Sequence, residues 1–244
     1  MNDFMTNLET SPTLSVPDSI TALQLQLRSD TEKNQLKLVD QLIGLGDAGY
    51  AALMDFLLER RSQTYDRLNA KIYQSLYNTQ QASVQALLQQ HFPTGTVPLR
   101  SEKGIDYTLL QQLLADQKFE AADRLTIQNL CELAGESATA RKWLYFTEVE
   151  SFPSTDLHTI DALWMAHSDG LFGFSVQRDI WLSVGKNWEK LWSKIGWKAG
   201  NNWTRYPGAF TWTLEAPKGH LPLSNQLRGV RVIASLLAHP AWTK

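Results

Sequence analysis

The sequence predicts an all-α protein. Apolar residues recur at helical spacing along most of the 244 residues, and Gly and Pro cut that pattern into helix-sized pieces. No series of strand-sized segments interrupts it. The apolar fraction of 43% and charged fraction of 20% are those of a chain that buries a core. This length accommodates one large domain or two small ones.

Residues 19–90 read as helices joined by short turns. Thr31 is placed to cap a helix carrying Leu36, Val39, Leu42 and Ile43, ended by Gly46. Asp47 starts a second with Ala51, Leu53, Phe56 and Leu57, whose last turn holds Arg60 and Arg61 where the helix dipole favours cations. A third runs through Tyr65, Leu68, Ile72 and Leu76, and a fourth through Val84, Leu87 and Leu88. Stripes of this kind with short connections imply an N-terminal antiparallel bundle or stacked helical pairs, and no chemistry.

The stretch HFPTGTVPLRSEKG, residues 91–104, has two prolines, two glycines and no periodicity, and reads as a linker. The chain therefore divides into residues 1–90, a linker over 91–104 and a second domain over 105–244. Beyond the linker, Leu109, Leu110, Leu113 and Leu114, then Phe119, Ala122, Leu125 and Leu130, predict a helical hairpin broken near Asp116 and stopped by Gly135. Helical patterns continue in ARKWLYFTEVESF, DLHTIDALWMAH and QRDIWLSVGKNWEKLWSKI. The last predicted helix, SNQLRGVRVIASLLAHP, is capped by Ser224 and stops near Pro240. Only Phe210, Trp212 and Leu214, alternating with polar residues, show period two and predict an extended piece.

Charge and tryptophan are both lopsided. From Ile180 onward nine basic residues face two acidic ones, a net +7 that leaves −9 for residues 1–179. The nine tryptophans all lie between Trp143 and Trp242. This asymmetry points to an anionic partner near the C-terminal third, or to a basic face that is merely solvated. Cys131 is the single cysteine, so no intramolecular disulfide forms and a reducing compartment is favoured. No apolar run reaches the ~20 residues of a membrane span, and the N-terminus lacks the pattern of a signal or transit peptide.

Catalytic chemistry finds no support. His91, His158, His167, His220 and His239 include no pair at the i, i+4 spacing of a helical zinc site. No glycine-rich phosphate loop precedes a helix, no nucleophile has a local base, and Glu148 and Glu150 point to different helix faces. What remains is NNWTRYPGAFTWTLEAPKGHLP, residues 201–222, in which Trp203, Tyr206, Phe210 and Trp212 crowd around Arg205. Arg228 and Arg231 share a helix face at i, i+3, and Arg231 borders the stripe of Leu227, Val230, Ala234 and Leu237.

Rings and guanidinium groups together fit a broad, flat, apolar ligand with acidic groups on its rim. Covering ~300 Å² of such a ligand contributes roughly 7 kcal/mol before association costs. A charge-assisted hydrogen bond adds about 1.5–3 kcal/mol. Rings would supply affinity, and arginines orientation. Each ring taken singly could equally pack on the domain's own helices. Single-stranded nucleic acid is a rival ligand, haem held by His220 or His167 another, and a pure interaction scaffold a third.

The stretches WLYFTEVESFP (143–153), DLHTIDALW (156–164), GFSVQR (173–178), GWKAGNNWTRYPGAFTW (196–212) and PKGHLPLSNQLRGVR (217–231) closely resemble the genomes-uncoupled-four family, from about Leu99 to Trp242. These are tetrapyrrole-binding regulators of magnesium chelatase. The resemblance implies an all-helical "cupped hand" with long loops whose palm takes protoporphyrin IX and magnesium protoporphyrin IX. It implies a non-enzyme that needs no cofactor and stimulates the chelatase together with its large H subunit. The expected porphyrin-binding residues are Phe146, Val149, Trp203, Arg205, Tyr206, Phe210, Asn225, Arg228 and Arg231, with no catalytic or metal site. Tyr206 stands where some relatives carry Trp. The N-terminal helices resemble the accessory bundle of cyanobacterial members, and the plant transit peptide and C-terminal tail have no counterpart. The expected protein is a cytoplasmic monomer, at most peripheral at the thylakoid membrane, with no nucleic-acid partner.

Overall fold

A computed structural model describes residues 16–61, 66–223 and 230–243. The architecture is all-α, as the periodicity predicts. The first five helices are α1 (Val16–Ser29), α2 (Glu32–Gly44), α3 (Asp47–Glu59), α4 (Arg67–Asn78) and α5 (Ala82–His91). Their apolar stripes meet in one buried cluster containing Leu27, Val39, Leu42, Leu53, Ile72 and Leu76. Thr31 does occupy the N-cap of α2, but its side chain makes no capping bond. Asp30 braces the turn before it, its Oδ1 accepting from Thr31 N at 2.7 Å and from the Asn34 side-chain Nδ2 at 2.9 Å. In α4 the cap is Asp66, which accepts from Asn69 N at 2.7 Å, and Tyr65 lies outside the described residues.

A second buried cluster is built by α6 (Thr108–Ala115), α7 (Phe119–Ala134), α8 (Glu136–Arg141), α9 (Phe146–Val149), α10 (Ser154–Ala166), α11 (Phe174–Ser183), α12 (Trp188–Lys194), α13 (Arg231–Ala238) and a closing 3₁₀ turn, Pro240–Trp242. Its centre is Tyr107, Phe119, Trp164, Phe172, Phe174 and Trp197, all fully enclosed. The expected break between α6 and α7 is at Asp116 and Gln117, the latter left-handed at φ 55°.

Two patterns read from sequence as single helices are each two. Lys142, at φ 62°, ends α8, its N–H donating to Ala138 O at 2.8 Å. Gly185 and Lys186, at φ 67° and 60°, end α11, with Lys186 N bonded to Trp181 O at 2.9 Å. Left-handed residues let a helix close its last carbonyls, and neither lysine announces that role in sequence. The extended piece expected at Phe210–Leu214 forms no strand, with bends at Phe210 and Thr213 and a turn at Leu214. Phe210 stacks on Trp212, centroids 5.6 Å apart, while Leu214 is exposed. The one short ladder among the described residues pairs β1 (Lys198–Ala199) with β2 (Asn202–Trp203), antiparallel.

Two sets of contacts place the first five helices against the rest. On one side, α4 packs on α10, where Gln74 Oε1 meets His167 Nδ1 at 2.5 Å while Gln74 Nε2 donates to Ala115 O at 3.0 Å. At the connection, the buried carboxylate of Asp156 collects Ser101 Oγ, Glu102 N at 2.9 Å and the Tyr107 hydroxyl at 2.8 Å. Thr159 Oγ1 adds a bond to Arg100 O at 2.8 Å. The proline- and glycine-rich stretch is thus pinned where it meets α10.

Candidate functional site

The aromatic loop is built on a column of indoles. Trp181, Trp188, Trp192 and Trp197 stack in succession, with centroids 5.0, 5.3 and 5.5 Å apart and interplanar angles of 28°, 22° and 6°. Helical spacing at i, i+4 on α12 sets Trp188 and Trp192, the turn at Gly185 and Lys186 brings Trp181 of α11 alongside, and Trp197 follows the last turn of α12. Indoles prefer offset stacking, and each pair adds about 0.5–1.5 kcal/mol beyond its buried area.

The loop closes back on this column. Trp197 Nε1 donates to His220 O at 2.7 Å, and His220 Nδ1 lies 2.7 Å from Ile195 O. Thr211 N donates to His220 Nε2 at 3.2 Å, so Nε2 is the acceptor and Nδ1 carries the proton. Burial lowers the His220 pKa, which keeps that neutral form. Both ring nitrogens are engaged, leaving no lone pair for a haem iron. His167, the other expected axial candidate, is only 3% exposed and faces Gln74.

Gly219 lets the loop reach the core. It sits at φ 79°, and a Cβ there would stand 2.8 Å from Ile180 Cδ1. Its N–H donates to Leu171 O at 2.8 Å, and Gly173 N donates to Leu221 O at 3.0 Å. Gln177 Nε2 holds Gly219 O and Pro222 O at 3.0 and 2.8 Å.

The structure sorts the expected site residues into several places. Tyr206 and Phe210 meet edge-on at 5.5 Å, and Tyr206 meets Trp212 edge-on at 5.9 Å. Phe210 is core, also touching His220 at 4.7 Å, whereas Tyr206 is half-buried. Trp203 stands apart from them, 45% exposed, tilted against Trp192 at 5.7 Å with Lys198 Nζ 5.4 Å from its ring. Arg205 is exposed. Val149 is fully buried inside α9. Phe146, half-buried at the start of α9, lies beneath Arg231 at the start of α13, with Cζ 5.4 Å from its centroid. Asn225 and Arg228, and the Ser224 cap, lie outside the described residues.

The segment before Phe146 is stiffened by a third arginine. Arg141 pairs with Glu148 through one nitrogen, Nη2 lying 2.8 Å from each carboxylate oxygen, and its Cζ sits 4.8 Å from the Trp143 ring and 4.5 Å from that of Tyr145. Glu148 also accepts from Tyr145 N at 2.7 Å. Sequence reading assigned none of these a role. A cleft of about 270 Å³ between α7 and α8, lined by Ile127, Gln128, Cys131, Glu132, Thr139 and Lys142, holds none of the expected residues.

Asp123 was also missed. It is wholly buried on α7, and its Oδ1 accepts from Leu223 N at 2.6 Å. The Tyr206 hydroxyl faces the same carboxyl group. Burial pushes the Asp123 carboxyl up to about 7. A signal existed: Asp123 follows Phe119 by four and precedes Thr126 and Leu130 on the buried stripe of α7. An acid at such a position needs an explanation.

Residues 100–240 match the profile of a family described as GUN4-like, and residues 12–93 match an ARM-like repeat domain described as GUN4-N terminal. A Ycf53-like protein of Synechocystis sp. is 53% identical over 228 residues, covering 93% of this chain and 98% of that one. A tetrapyrrole-binding protein, chloroplastic, of Arabidopsis thaliana is 40% identical over 145 residues, 56% of this chain and 55% of that one. The structure of GUN4 from Chlamydomonas reinhardtii superposes with a TM-score of 0.57 at 42% identity, covering 61% of this chain and 95% of that one. The ligand-free structure of Arabidopsis thaliana GUN4 gives 0.54 at 40% identity, covering 58% of this chain and 100% of that one.

Proposed function

The chain belongs to the GUN4 family, and from that premise we propose that it binds tetrapyrroles on the surface built by α9, the start of α13 and the loop 201–223. The ligands are protoporphyrin IX and magnesium protoporphyrin IX. The observation that carries this reading is the guanidinium of Arg231 laid over the ring of Phe146. An aromatic ring with a cation held against it suits a flat macrocycle whose carboxylates project from one side. Arg205 is exposed on the loop and available to the same carboxylates. A relative of this chain is named for tetrapyrrole binding, which supports the same ligand class.

The protein would stimulate magnesium chelatase together with its large H subunit, acting as a non-catalytic regulator and porphyrin carrier. On this reading residues 105–244 form the porphyrin-binding domain, residues 1–90 an accessory domain and 91–104 the connection, in a cytoplasmic monomer at most peripheral at the thylakoid membrane. The two buried clusters support that division. The test is a tryptophan-quenching titration with deuteroporphyrin and its magnesium form, followed by chelatase assays with and without the protein. Saturable quenching with a shifted Soret band, and faster magnesium insertion, are expected. No quenching at micromolar porphyrin would overturn the binding, and an unchanged chelatase rate the regulation.

A further inference from the structure

A helix of a single turn cannot hold itself in water, because its few backbone bonds do not offset the cost of nucleation. α9 is such a helix, and it carries the ring that Arg231 covers. Its C-terminal end is fixed by Val149, which is fully buried, and one side packs against α13. Its N-terminal end is held differently. Glu148 folds back so that its Oε2 accepts from Tyr145 N at 2.7 Å, closing the first turn. The same carboxylate meets Arg141 Nη2, 2.8 Å from each of its oxygens.

Arg141 is itself constrained. It is the last residue of α8, on the far side of the left-handed reversal at Lys142. Its guanidinium lies against the rings of Trp143 and Tyr145, which meet each other edge-on at 4.5 Å, and its Nη2 also donates to Trp143 O at 3.3 Å. Its Nε is buried and has no hydrogen-bond partner among the described residues. An unconstrained guanidinium pairs with a carboxylate through two nitrogens. Here the two rings fix its orientation, and Glu148 meets the one nitrogen that faces it. Both side chains are mostly buried, 24% and 22% exposed, so water and salt screen the pair less than they would on the surface.

We propose that Arg141 and Glu148 are positioning residues that set the direction of the Phe146 ring for porphyrin, acting through α9 rather than on the ligand. This rests on the tetrapyrrole reading, and it assigns the part of the chain that pre-forms the surface. Phe146 lies between Tyr145, whose N–H the carboxylate holds, and Glu148 itself. Any swing of that first turn therefore moves the ring relative to Arg231. With the pair intact the ring is in place before a ligand arrives, so binding does not have to order it. Without the pair, the turn loses its anchor on α8 and the ring samples several directions.

The experiment is a double-mutant cycle on the full chain with Arg141→Met and Phe146→Ala, read by quenching titrations with deuteroporphyrin and its magnesium form. Arg141→Met alone should weaken both ligands by roughly five-fold, within the range of coupling between residues that share contacts. In the Phe146→Ala background it should change affinity by less than about two-fold, because the ring it positions is gone. Additive losses would overturn the proposal, and so would wild-type affinity in folded Arg141→Met. Glu148→Gln keeps an acceptor for Tyr145 N–H and should bind porphyrin more tightly than Glu148→Ala; equal losses in the two would also overturn it. Nuclear Overhauser contacts between the Phe146 ring and the Arg231 side chain give a readout without porphyrin. They should be present in the wild type and weakened in Arg141→Met. Should deuteroporphyrin fail to bind even the wild type, the tetrapyrrole reading falls, and these contacts alone decide whether the pair positions the ring, unchanged contacts refuting it. Near-ultraviolet dichroism identifies a variant that has not folded, and Glu148→Gln then takes the place of Arg141→Met in the cycle, with the same outcomes expected.

Discussion

The Arg231 guanidinium lies over the Phe146 ring, Cζ 5.4 Å from the centroid, although the two residues open different helices. Phe146 is half-buried, so it is not sealed inside the core. Phe146→Ala should weaken deuteroporphyrin and magnesium deuteroporphyrin alike, by about ten-fold or more, since it removes apolar contact rather than charge. Quenching titrations measure this. A large drop in melting temperature with unchanged affinity would make Phe146 ordinary core.

Arg231→Ala separates charge from packing. Removing one charge-assisted contact to a propionate should cost about 1.5–3 kcal/mol, at least ten-fold in affinity. Arg231 is exposed, so folding should be unaffected. The same titration in increasing salt should show only a mild loss. A steep loss together with heparin retention would favour a nucleic-acid ligand instead.

His167 predicts an acid-sensitive contact between α4 and α10. Burial lowers its pKa from 6.5 to about 4. The unfolded chain therefore binds the proton more readily, and the neutral ring contributes stability above pH 6.5 that is lost as pH falls through 4. The contribution is on the order of 3 kcal/mol. Asp123 and Asp161, raised to about 7 and about 6, act in the opposite sense over this range. Urea denaturation of wild type and His167→Gln at matched pH cancels them. Wild type should lose stability relative to the variant between pH 6.5 and 4, and a constant difference would refute the assignment.

Asp156→Ala should be among the most damaging single changes. It leaves the Tyr107 hydroxyl, Ser101 hydroxyl and Glu102 N–H without their acceptor, one of them in a fully enclosed side chain. Buried donors left unpaired cost about 1–3 kcal/mol each. A fall in melting temperature of about 10 °C or more is expected by calorimetry. A shift under about 3 °C would mean water reaches these donors readily.

Gly49 tests whether the two clusters act separately. A Cβ there would stand 1.8 Å from Leu42 O, so Gly49→Ala must push α3 away from α2. Overpacking of this kind costs about 1–3 kcal/mol. The early helices should melt earlier while porphyrin affinity is unchanged. A parallel loss of affinity would show that the accessory helices support the binding surface.

Helix existence was legible because burial imposes a period. Leu36, Val39 and Leu42 on α2, or Leu110 and Leu114 on α6, repeat at the spacing that puts them on one face. Charge asymmetry and the aromatic loop were legible as composition. Left-handed helix ends at Lys142 and Lys186 were not, because a lysine there differs from its neighbours only in backbone angle. The position of Phe210 was not either, since an aromatic in a loop suits a ligand or a core equally well until its neighbours are known.

The amino-acid sequence by itself determined the all-α class, the order of most helices and the arginine and aromatic content from which a binding surface could be built. Tertiary structure alone decided which rings are spent on the protein's own core, that Arg231 meets Phe146, and that Asp123 meets Leu223 N and the Tyr206 hydroxyl. The reason is physical: periodicity is a local consequence of having one buried face, whereas contacts between distant elements depend on how those faces dock. Side-chain type carries no record of that docking.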